Sequence, residues 1–83
     1  MRGMSEWKPA GVVAEGQPIS IEGLNAWDHR WEPRGDEAVD LPHPSYPEQR
    51  HRMRVYEMEG SAGRIVFAAG ELSPGVWGFF VPL

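Results

Sequence analysis

The stretch WDHRWEP, Trp27 to Pro33, sets an acid, an imidazole and a guanidinium between two indoles. Those residue types could perform general acid–base chemistry, with His29 as base, Asp28 orienting it and Glu32 as a second carboxylate. In an extended strand, however, neighbouring side chains point to opposite faces, so Asp28 and His29 do not readily pair. Trp27, His29 and Trp31 then share one face, a pattern that predicts the aromatic plug of a small β core. No catalytic residue is assigned. The three histidines, His29, His43 and His51, lack metal-ligand spacings such as H-x-x-x-H or H-E-x-x-H. His43 with Asp36, Glu37 and Asp40 could gather a divalent cation. Their spacing is looser than that of oxygen-ligand loops, so a solvated acidic loop is expected, with no metal and no cofactor.

Arg50, Arg52 and Arg54 alternate, and a strand would line all three along one face. Such a row could grip a small anion, a carboxylate-rich partner or an RNA backbone, because a guanidinium binds planar oxyanions bidentately. The competing expectation is that these arginines pair across strands with Glu57, Glu59, Glu22 or the acidic segment near Asp36. The tripeptide RGD at Arg34 to Asp36 reads as coincidence in a cysteine-free chain. Neither G-x-G-x-x-G after a strand, nor G-K-[ST], nor a G-x-S-x-G elbow is present.

Aromatic residues are over-supplied, with four Trp, three Phe and two Tyr in 83 residues. Phe79 and Phe80 must point to opposite faces of one strand, so a second face needs a cover. Exposed aromatic rings are typical interface anchors. Trp27, Trp31, Tyr46, Trp77 and Phe80 are therefore the candidate partner-binding residues, with another protein or a second copy of the chain as partner. A homodimer paired through an edge strand would also cover such a face.

The elements that would carry these residues are short. Eighteen residues are Gly or Pro, and this punctuation favours strands and turns over helices. GVVAEG and PISIEG read as strands, the second with Ile19 and Ile21 on one face. LNAWDHRWEP reads as another. From Glu32 to Gln49 periodicity fails amid four prolines and five acidic residues, which predicts a long Pro-rich loop. The last part, RMRVYEMEGSAGRIVFAAGELSPGVWGFFVPL, reads as a three-stranded meander with turns at GSAG and GELSPG. The predicted fold is mainly β: one small domain over residues 1–83, with 1–4 flexible. Five to six antiparallel strands would form a partly open barrel or sandwich. The alternative is an α+β domain with one short helix near residues 46–52, suggested by a Ser-x-x-Glu capping box at Ser45 and Glu48.

Composition sets the class. A domain this short without cysteine suits a reducing, cytoplasmic interior better than a secreted setting. No apolar run is long enough to span a bilayer, so no membrane partner is expected. The net charge of −4 disfavours nucleic acid, and seven Arg against one Lys hints at a bacterial genome. The expected function is a non-enzymatic protein-interaction module of regulatory, inhibitor or immunity type. The alternatives are a small-anion or RNA-binding β domain using the arginine strand, and a small enzyme using a histidine and a carboxylate.

Overall fold

A computed structural model describes residues 6–83. The expected flexibility of residues 1–4 lies outside those residues. Five long strands form one antiparallel sheet in the order β1-β7-β6-β5-β4. They are β1 (Trp7–Ala14), β4 (Glu32–Pro42), β5 (Arg50–Gly60), β6 (Gly63–Ser73) and β7 (Val76–Pro82). A second, two-stranded sheet pairs β2 (Ser20–Ile21) with β3 (Leu24–Asn25). The architecture is mainly β, as the turn-rich sequence predicts, and the sheet does not close into a barrel.

The C-terminal meander follows from its turn residues. Pro74 and Gly75 join β6 to β7, with Gly75 at φ 77, as a type II turn requires at its second central position. β5 and β6 stay in register from Arg54↔Ala69 to Gly60↔Gly63.

Three expectations are corrected. The segment from Glu32 to Gln49 is not one long loop: its first eleven residues are β4, and only positions 43–49 turn. Period two is lost there because β4 is an edge strand with a register shift between Pro33 and Ala38. At an edge, Pro33 and Pro42 need not break the ladder, and charges such as Asp36, Glu37 and Asp40 face water. The helix near 46–52 is also absent: tight turns at 46–49 lead directly into β5 at Arg50. Finally, LNAWDHRWEP is not a strand. Its Leu24–Asn25 is β3, Ala26–Asp28 is a single 3₁₀ turn whose N-cap Asn25 accepts from the Trp27 N–H, and only at Glu32 does β4 begin.

Both faces of the sheet are covered. On the first, residues 15–31 fold over Met58, Ile65, Phe67, Ala69 and Phe79, contributing Ile19, Ile21 and Ala26 to the core. On the second, Met53, Val55, Ala68 and Phe80 are fully buried. Their cover comes from side chains of both edge strands, Trp7 of β1 and Val39 and Leu41 of β4, together with Val66 and Leu72. Opposite margins of one sheet reach a common cluster only if the sheet curls, and two glycines make room. A Cβ at Gly70 would lie 2.7 Å from Met53 Sδ, and one at Gly78 would lie 3.0 Å from Leu72 Cδ1.

Candidate functional site

The structure sorts the candidate residues by the face and end of the sheet that each occupies. Trp31 sits at the centre of an aromatic cluster, with ring centroids 5.1 Å from Trp27, 5.2 Å from Phe67, 5.3 Å from Tyr56, 5.5 Å from Phe79 and 6.0 Å from Trp77. Most of these pairs meet edge to face, the arrangement that ring quadrupoles favour. The Trp31 indole N–H donates to the Ala26 carbonyl at 2.8 Å, and that of Trp77 donates to Glu15 Oε1 at 3.1 Å. Trp27, Trp31 and Trp77 are half-buried against the first core, so the WDHRWEP stretch is an aromatic plug. Its geometry differs from the expected strand: the 3₁₀ turn aims Trp27 inward, and the return at His29 brings Trp31 beside it.

Phe80 does not offer a ring to a partner. It is 1% exposed, inside the second cluster, because curling of the sheet and the Trp7 side chain cover the face that the sequence left open. Tyr46 alone among the aromatic candidates is exposed, at 55%. It lies at the β4–β5 turn with its ring 5.0 Å from that of His43. The His43 Nδ1 accepts from the backbone N–H groups of Ser45 and Tyr46 at 3.0 and 3.3 Å. His51 follows across the turn, its ring 5.8 Å from that of His43. Among the described residues no three His, Asp or Glu side chains converge on a metal position.

The arginine row forms as the alternation predicts. Arg50, Arg52 and Arg54 stand on one face of β5 opposite Pro42, Asp40 and Ala38 of β4, and all three are exposed. Arg50 donates to the Asp40 carbonyl at 3.0 Å. Arg52 and Arg54, with Ala38 and Asp36, line a cavity of about 340 Å³. The small Ala38 side chain leaves that space open.

The expected pairing of these arginines with Glu57 and Glu59 does not occur, and strand parity is the reason. Residues 50, 52 and 54 lie on the first face of β5, whereas 57 and 59 lie on the second. There, Arg64 of β6 donates to Glu32, Glu57 and Glu59 at once, and Arg34 binds Glu57 Oε2 at 3.0 Å. Hydrogen bonding to Arg64, and then its charge, hold the Glu32 carboxyl below the usual carboxylate value. The same three carboxylates push the Arg64 guanidinium up. Among the described residues, Arg50, Arg52 and Arg54 enter no ion pair. The RGD arginine is likewise held by carboxylates, Glu37 and Glu57.

One site escaped the sequence reading. A cavity of about 450 Å³ opens where β1 and the end of β7 meet the β2–β3 hairpin, lined by Lys8, Ala10, Ser20, Ile21, Glu22 and Val81 among others. Lys8 and Glu22 are too far apart in sequence to be matched by periodicity. The one local signal was the Glu-Gly pair at the hairpin tip.

No helix among the described residues is long and apolar enough to cross a membrane. No known family model matches the chain, and neither a search of curated proteins nor one of solved structures finds a match.

Proposed function

We propose that this protein is a binding module that docks an acidic segment of a protein partner on the β5 arginine row. The observation that carries this reading is the contrast between two sets of arginines. Arg34 and Arg64 are held by carboxylates, whereas Arg52 and Arg54 stand side by side, free of ion pairs among the described residues, over an open cavity. Among the described residues Lys8 and Arg30 also enter no ion pair, but neither belongs to the row of β5. Two adjacent guanidinium groups present parallel N–H donors to a carboxylate or a pair of carboxylates. Tyr46, exposed at the turn that joins β4 to β5, supplies an apolar contact with a polar tip. A net charge of −4 disfavours a nucleic-acid backbone, and the three tryptophans pack with one another rather than forming a stacking platform.

The test is fluorescence anisotropy with a labelled oligoglutamate peptide and, separately, an oligouridine RNA. The peptide binds with an affinity that falls as salt rises. Arg52→Glu or Arg54→Glu abolishes that binding, while Arg30→Glu leaves it unchanged. Binding of the RNA alone would move the protein to the nucleic-acid class. An affinity indifferent to both row substitutions would remove the row from any function.

A further inference from the structure

The β2–β3 hairpin holds a backbone oddity beside a cavity. Ile21 pairs with Leu24, so Glu22 and Gly23 form a two-residue turn, with φ of 51° and 83°. Positive φ at both central positions defines the I′ turn, where Gly, Asn or Asp are the favoured residues. Glu22 is the only non-glycine among the described residues with positive φ. A long side chain there strains a left-handed backbone that Asn would occupy comfortably. Local folding alone gives no reason for Glu.

The cavity described above supplies a second, independent observation. Glu22 and Lys8 both line it, from the hairpin and from β1 respectively. They carry opposite charges, yet no ion pair joins them to each other or to another described residue. Apart from Ser20, the rest of its lining is aliphatic, with Ala10, Val81 and Pro82 among it and no aromatic ring. A volume near 450 Å³ is in the range of small-ligand sites.

We infer that this cavity binds a small zwitterion, an α-amino acid with an aliphatic side chain. Lys8 takes its carboxylate, Glu22 takes its ammonium group, and Ala10, Val81 and Pro82 take its hydrocarbon. A ligand with both charges pairs with both groups simultaneously, and a singly charged ligand leaves one of them unmatched. The site stands apart from the arginine row and does not depend on its role.

The experiment is a titration of ¹⁵N-labelled protein followed by amide NMR, with L-leucine, with 4-methylpentanoate, which lacks the ammonium group, and with 3-methylbutylamine, which lacks the carboxylate. Leucine gives saturable shifts at Lys8, Ala10, Ser20, Glu22 and Val81. Each singly charged analogue binds at least about tenfold more weakly, as expected for loss of a charge-assisted hydrogen bond. Glu22→Asn relieves the turn, so that variant melts at a higher temperature and no longer responds to leucine. Lys8→Met also stops responding. Absence of saturable shifts in the folded wild type, equal binding of the analogues, or full binding by Glu22→Asn would each overturn the inference.

Discussion

Gly70 and Gly78 face one another across the β6–β7 ladder, and side chains from elsewhere fill the space that they leave. Met53 lies over Gly70 and Leu72 over Gly78. This pair allows the second face to curl over its own core. Gly70→Ala would set a Cβ 2.7 Å from the fully buried Met53 sulfur and 3.3 Å from the Arg52 carbonyl oxygen. The expected loss in stability is about 1–3 kcal/mol, typical of overpacking. Gly78→Ala meets the half-buried, flexible Leu72 and costs less. Urea unfolding midpoints for both variants, and for Gly70→Ala combined with Met53→Ala, check the contact. If Met53 is the obstacle, the double variant loses less than the sum of the two single losses.

Trp31 is the hub of the first core. Trp31→Ala removes contacts to five aromatic rings and the hydrogen bond to the Ala26 carbonyl. The expected destabilisation is about 3–5 kcal/mol. That is a large fraction of the whole stability of a small domain. Near-ultraviolet circular dichroism and denaturant titration read it directly. Tyr46→Ala, at an exposed turn, shifts the midpoint by no more than about 0.5 kcal/mol.

The cross-strand network makes stability depend on acid. Because Arg64 lowers the Glu32 carboxyl, the folded protein holds fewer protons there than the unfolded chain does. The stabilisation is present above the ordinary glutamate value of about 4.3 and is lost as pH falls through the lowered folded value. Exposure keeps the effect small and sensitive to salt. Thermal melts at descending pH show the decline, and Glu32→Gln flattens the slope in that window. An unaltered slope would assign the acid response to other carboxylates.

The meander from β5 to β7 was legible because Gly60, Gly63, Pro74 and Gly75 punctuate strands of clear alternation. β4 was not, because edge position and the shift near Gly35 erase the alternation that identifies a strand. The aromatic plug was legible as chemistry but not as geometry: two tryptophans four residues apart meet through a 3₁₀ turn as readily as along a strand. Burial of Phe80 was hidden because its cover, Trp7, Val39 and Leu41, comes from both ends of the sheet order. The arginine row was readable, and so was the fact that Glu57 and Glu59 sit on the other side of the same strand. Parity counted through Arg54 and Glu57 would have ruled out that pairing in advance.

The two free margins of the sheet are both interrupted. β1 carries Pro9 and a register shift between Pro9 and Gly11. β4 carries Pro33, Pro42 and a shift of its own, leaving four uninterrupted residues, Ala38 to Leu41, with Asp40 among them. A fibril grows by adding one long, flat strand after another to an unblocked margin. Neither margin offers such a template among the described residues.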